Sequence, residues 1–399
     1  MSDKNPAQTI VATADDLLDW QEDFYKDLHA HPELSMQEER TRSAIVDKLK
    51  ELGYEPKEIG GGVVAELENG DGKTVMLRAD FDALPIVEET DLDYAADPND
   101  EAMHACGHDS HVAALMGMAQ LLYENQDSWS GTLQLLFQPG EETGEGAQAM
   151  VDDGLVDKVA TPDVVLGQHV FGMQVPTGHV AVAAGPILST AVSMRVKVYG
   201  NGSHGSMPHL GVDPVVLACS IVTRLQSVVA RELAPDEFGV LTVGRIKSDS
   251  GPNIIPESAE IELNIRAYSE EVRDFLRDSV HRVVDGECAI SRSPKDPEYS
   301  EFYRFPLTVN DEDTAATVRD GLVGLFGEDR VAEMEPATAS EDFSRVPDAF
   351  EAPYCYWIFG GLKEGETIPN HNPKFAPVMQ PTLRTGTEAL VAAACAFFR

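Results

Sequence analysis

Positive charge is what this sequence has least of. Of its 399 residues, 30 are Lys or Arg against 68 Asp or Glu, a formal charge of −38. Such a chain repels nucleic-acid phosphates and anionic membrane surfaces, and neither is expected as a partner. Long apolar runs are missing too: no stretch of 18 apolar residues is uninterrupted, so no transmembrane helix is expected. The polar segment Met1–Asp15 lacks the apolar core of a signal peptide, which points to a cytoplasmic protein. Cysteine is sparse and odd in number, five in all, so free thiols are expected rather than a disulfide framework. Cys219, Cys355 and Cys395 fall in apolar stretches and are expected in the core, while Cys288 has no assignment. There is no internal repeat and no low-complexity segment.

What is present is enough to fold. Hydrophobic residues make up 43% of the chain, the acids are spread among apolar periodic segments, and the length fits about two domains. An evenly acidic surface repels itself unless salt screens it, so a salty cytoplasm is the expected setting.

Residues 16–52 read as helical, ending near Gly53. Thr74–Ala79, Thr132–Gln138 and Asp163–Gly167 read as strands. Asp109–Asn125 reads as a helix, with Asp109 or Ser110 placed to cap it. Strands alternating with helices predict a doubly wound, mostly parallel α/β sheet. From about residue 187 the pattern becomes β-α-β-β-α-β, with a helix from Asp213 and another capped by Ser269, which fits an inserted ferredoxin-like α+β domain. The expected division is 1–186 with 305–399 for one domain and 187–304 for the insert.

Chemistry concentrates at His104-Ala105-Cys106-Gly107-His108-Asp109-Ser110-His111. Thiolate and imidazole are both good ligands for zinc and similar divalent metals, and Gly107 lets the chain turn between them. Glu141 and Glu142 follow the strand ending at Gln138, His169 follows Asp163–Gln168, and Asp80 follows Thr74–Ala79. Three strands therefore deliver acids and an imidazole to one sheet edge, where open α/β sheets bind ligands. His371, held between Pro369 and Pro373, would join them from a loop after the last strand.

These motifs resemble the metal-dependent amidohydrolases that include aminoacylases, hippurate hydrolases, indole-acetyl-amino-acid hydrolases and N-acetyl-diaminopimelate deacetylases, relatives of the glutamate carboxypeptidases. The likeness runs from Leu28-His29-Ala30-His31-Pro32-Glu33-Leu34 to the final helix. It includes Arg78-Ala79-Asp80-Phe81-Asp82-Ala83-Leu84-Pro85, Phe137–Glu142, Gly205–His209, Asn253–Pro256 and Ser340–Phe343. Gly140, where the family often has Ala, and Gln168 are small departures.

The resemblance implies two divalent ions, of Mn, Zn, Co or Ni, with Cys106 as bridging thiolate. His108 and His169 would serve one ion, Glu142 and His371 the other. Glu141 would be the general base, and Asp80 would orient a ligand imidazole. His104, Asp109 and His111 would not be ligands; they would support the ligands from behind or be structural. His204 would act at the reacting carbonyl, reaching a partner's site in dimeric relatives, and Asn253 and Arg266 would hold the substrate carboxylate. The implied reaction is hydrolysis of N-acyl amino acids to a carboxylic acid and a free amino acid, by a homodimer joined through the insert, which would also act as a lid. The nearest alternative is a metallo-carboxypeptidase or dipeptidase on the same scaffold.

Overall fold

The strands that read as apolar runs form the middle of one sheet. The computed structural model describes residues 6–398, so the first five residues of the Met1–Asp15 stretch lie outside the described residues. Within it, Gly131–Gln138, Thr74–Asp80, Val164–Phe171 and Tyr354–Gly360 lie side by side, all parallel. Antiparallel Gly62–Asn69 and Lys57–Ile59 extend one side. Val180–Val182 and Val331–Glu333 extend the other, giving eight strands. Val75, Leu77 and Ala79 face one core, shared with the helices His108–Glu124 and Met379–Cys395. Met76 and Arg78 are buried on the opposite face, where the helices Gly146–Asp152 and Arg345–Phe350 pack. Both faces are covered, as a parallel sheet requires.

The chain divides into two units. One holds Met1–Ile187, Thr308–Glu335 and Asp342–Arg399, the other Leu188–Leu307 and Pro336–Glu341. The second unit has an antiparallel sheet in the order Gly239–Lys247, Ser258–Ala267, Thr190–Tyr199, Glu298–Phe305. Two helices, Pro214–Arg231 and Glu270–Ser291, share its core. The segment Pro336–Glu341 belongs here although the sequence boundaries left it with the other domain. It is stitched on by Ser189 N–H donating to Ala339 O at 2.9 Å and by a bridge from Leu188 to Ala337.

Four local expectations differ from what is found. The helical reading of 16–52 is interrupted: helix Leu18–His29 stops, and Glu39–Glu51 starts afresh. Pro32 cannot continue a helix, and Leu34 instead bridges to Ala83. Neither Asp109 nor Ser110 caps its helix, because Gly107 takes the cap position at φ +86° and both lie inside the first turn. Cys219 is exposed, since the buried stripe of its helix runs through Leu217, Ala218, Ile221, Leu225 and Val228. That same helix is long and apolar enough to cross a membrane by length and composition, where none was expected, yet its apolar stripe packs on the sheet. Cys355 and Cys395 are buried as expected.

Candidate metal centre

The sheet edge gathers the expected ligand residues from four separate pieces of chain. Gly107, left-handed and packed so that a Cβ would collide with Val170, turns the chain between Cys106 and His108. His169 stands inside the strand Val164–Phe171 rather than after it. Glu141 and Glu142 follow the strand Gly131–Gln138. His371 holds a left-handed backbone at φ +66°, a strained state for a non-glycine residue, and its N–H donates to Ala105 O at 2.8 Å. Asn370 reinforces that placement by donating to Cys106 O and Val170 O.

Cys106 lies at the middle. Its Sγ is 3.4 Å from His169 Nε2 and 3.3 Å from His371 Nε2. The ligand atoms of Cys106, His108 and His169 lie within 4.8 Å of one another, and so do those of Cys106, Glu142 and His371. His169 donates its Nδ1–H to Val170 O at 2.7 Å, which leaves Nε2 as the metal-facing nitrogen. His108 Nδ1 is 3.1 Å from Asp82 Oδ1, which points its Nε2 at the acids. That Nε2 lies 4.0 Å from both Glu141 Oε2 and Glu142 Oε1. Glu142 Oε1 is also 3.3 Å from His371 Nε2. Both His108 Nε2 and Glu142 Oε1 are buried without a hydrogen-bond partner, a costly state for two polar atoms unless a cation lies between them.

Electrostatics point the same way. Burial, then Glu142, Glu141 and Asp80, push the Cys106 thiol well above its usual range, so a thiolate there needs added positive charge. Burial disfavours a charged His108, yet Asp80, Asp82 and Glu142 outweigh it and push the imidazole up to about 10. The site is short of cations, and the donor set fits divalent metal.

The residues behind the ligands are not all those expected. Asp80 does not orient a ligand imidazole through a hydrogen bond: its Oδ1 accepts from His111 Nδ1 at 2.5 Å, and its Oδ2 pairs with Arg78 at 2.5 Å. Burial opposes its charge, but Arg78, His108 and His111 hold it well below the usual carboxylate range. His111 also accepts Val170 N–H at 2.8 Å, so both its nitrogens are used and it is structural. Asp109 binds His29 Nδ1 at 2.6 Å, while His104 is buried with neither ring nitrogen hydrogen-bonded. The acid that orients His108 is Asp82, which stands in the sequence only as one residue of the run 78–85. Its signal was its place two residues beyond Asp80. Arg78 is anchored in turn by Gln138 and Asp342.

His204, Asn253 and Arg266 belong to the second unit. His204 and Asn253 come together there: Ile254 pairs with His204, and Gly205 N–H donates to Asn253 O at 2.7 Å. Exposed His204 has its Nδ1 2.7 Å from Ser206 Oγ. Arg266 donates to Thr338 O at 2.7 Å and to Ser340 Oγ at 3.1 Å.

Residues 76–396 match the family described as Peptidase family M20/M25/M40. The chain is 36% identical over 379 residues to thermostable carboxypeptidase 1 of Saccharolobus solfataricus, covering 93% of each chain. It is 37% identical over 330 residues to N-acetyl-L-cysteine deacetylase of Bacillus subtilis, covering 81% of this chain and 77% of that one. A Bacillus subtilis structure described as a dinuclear metal binding peptidase from the M20 family superposes with a TM-score of 0.78 at 27% identity, covering 96% of this chain and 98% of that chain. With these likenesses spanning both units, the chain belongs to the peptidase family M20/M25/M40, and it is a metal-dependent amidohydrolase of that family.

Proposed function

We propose that the protein hydrolyses the amide bond of N-acyl amino acids, releasing a carboxylic acid and a free amino acid. The observation that carries this reading is the position of Cys106 between two donor pairs, with Glu141 alongside. Cys106 with His108 and His169 would hold one divalent ion, and Cys106 with Glu142 and His371 a second, of Mn, Zn, Co or Ni. When bound, the ions supply Lewis acidity toward water and the amide carbonyl. Glu141 takes a proton from the attacking water and returns it to the leaving amine. Glu142 is committed to metal, so the two neighbouring carboxylates divide the work. His204 donates to the carbonyl oxygen as charge develops there, and Asn253 and Arg266 hold the substrate carboxylate.

We further propose that the second unit is a ferredoxin-like lid through which two copies pair, bringing His204 to the partner's site. Support comes from the helix Pro214–Arg231, whose outer face leaves Val215, Val216 and Cys219 exposed. The excess of acids supports work in a salt-rich cytoplasm.

A second reading, a metallo-carboxypeptidase or dipeptidase, is favoured by the likeness to a carboxypeptidase over nearly the whole chain. An assay of N-acetyl and N-benzoyl amino acids against blocked and free dipeptides separates the two. Dialysis against a chelator should abolish whichever activity is present, and re-added metal should restore it. Preference for dipeptides would replace the first reading with the second. Full activity in verified metal-free protein would sink both.

A further inference from the structure

The segment Glu33–Glu38 supplies no ligand, yet it touches the end of the strand that leads to Glu141 and Glu142 and the end of the strand that leads to Asp82. Ala83 N–H donates to Glu33 O at 2.8 Å, and Ser35 Oγ donates to Asp82 Oδ2 at 2.7 Å. Glu38, 4% exposed, accepts the Gly140 N–H at 2.7 Å from its Oε1. Asp82 Oδ2 accepts the Glu142 N–H at 2.9 Å. The two N–H groups that flank Glu141 are thus each held by a buried carboxyl. Met36 completes the brace: its own backbone is left-handed at φ +63°, and its Sδ fills the space a Cβ on Gly140 would need.

We propose that Glu38 is a positioning residue for amide hydrolysis, holding the turn on which Glu141 and Glu142 stand through the Gly140 N–H. Gly140 sits at φ +55°, a conformation glycine enters and leaves easily. Without an acceptor its buried N–H would seek another, and the turn would shift. A displacement of about 1 Å at a catalytic group can cost about 100-fold in rate. Burial and the nearby Asp82 push the Glu38 carboxyl up to about 7, which relieves repulsion between the two acids while the accepting oxygen stays in place.

Glu33 is a built-in contrast. Its carboxylate accepts Arg40 N–H at 3.0 Å and Thr41 N–H at 2.7 Å, a cap on the helix Glu39–Glu51, whereas the Glu38 side chain makes no cap bond there. Loss of Glu33 should lower stability, and loss of Glu38 should lower turnover.

The proposal rests on the amidohydrolase reading, and its test has one arm that does not. In the metal-loaded full chain, with an N-acetyl amino acid that the wild type cleaves, Glu38→Ala should lower kcat by roughly 10- to 100-fold with KM little changed. Glu38→Gln should stay within about threefold, because its amide oxygen accepts the same N–H. Cobalt(II) titration of the chelator-treated protein, followed by visible absorption, should show one ion bound about 10-fold more weakly in Glu38→Ala and unchanged in Glu38→Gln. If the wild type cleaves no N-acyl amino acid, the functional reading fails and the cobalt comparison still decides the role of Glu38. Wild-type kcat and cobalt affinity in Glu38→Ala would overturn the proposal. So would equal losses in Ala and Gln variants accompanied by a lowered melting temperature.

Discussion

Asp82 holds His108 and Glu142 at once, one carboxylate oxygen 3.1 Å from the His108 Nδ1 and the other 2.9 Å from the Glu142 backbone nitrogen. It is fully buried, and burial works against its charge, but His108, Ser35 and the Glu142 N–H lower its pKa. Asp82→Ala should therefore weaken metal binding or turnover by roughly 10- to 100-fold. Asp82→Asn should retain the Glu142 contact and lose less. Metal stoichiometry and kcat of the two variants decide it, and normal values in Asp82→Ala would remove this role.

Glu141 and Glu142 should separate in the laboratory. Glu141→Gln is expected to keep both ions and slow turnover by roughly 100- to 10,000-fold. Glu142→Gln is expected to lose an ion. Metal analysis of the purified variants checks this, and the opposite pattern would exchange the two roles.

His29 makes stability depend on pH. Burial alone would lower its pKa, but bonds to Asp109 and Glu88 push it up to about 9 from the usual 6.5. A raised folded pKa means its stabilisation is complete below pH 6.5 and is lost as pH rises through about 9. Glu38, raised from 4.5 to about 7, loses its share with the same sign but earlier, and His108, pushed up to about 10, adds a fall of the same sign that a His29 variant leaves in place. The melting temperature should fall between pH 7 and 9, and His29→Gln should flatten that fall. An equally steep fall in the variant would assign the dependence to other groups.

Salt should stabilise the protein. With a formal charge of −38, self-repulsion is strong in dilute buffer. Screening tightens to about 3 Å in molar KCl, and thermal melting should move upward across that range. A flat or falling melting temperature would refute adaptation to salt.

The clustering of Cys106, His108, Glu142, His169 and His371 was legible because Cys, His and Glu in that pattern have few other uses, and because parallel strands deliver their carboxyl ends to one place. Asp82 was less so: it lies just past the strand that ends at Asp80, and only the folded chain shows which acid meets His108. Glu38 was hidden inside a stretch read as continuous helix, and it acts on a backbone N–H, which no side-chain motif records. Cys219 misled because its helix carries apolar residues on two flanks, of which only the one through Leu217 and Ile221 meets the sheet.

The strand Tyr354–Gly360 lies beside Val164–Phe171, with residues 172–353 and the whole second unit between them in sequence. His371 follows that late strand. Partners so distant along the chain meet late in folding, and a unit whose strands have all been made can form before them. During synthesis the second unit's sheet, complete by Phe305, can close while the main sheet still lacks a central strand. A nascent chain halted before residue 371 would carry Cys106, His108, Glu142 and His169 but lack the last donor. On the proposed ligand set, hydrolytic competence would be timed to the end of assembly, and chains abandoned earlier would be left without it.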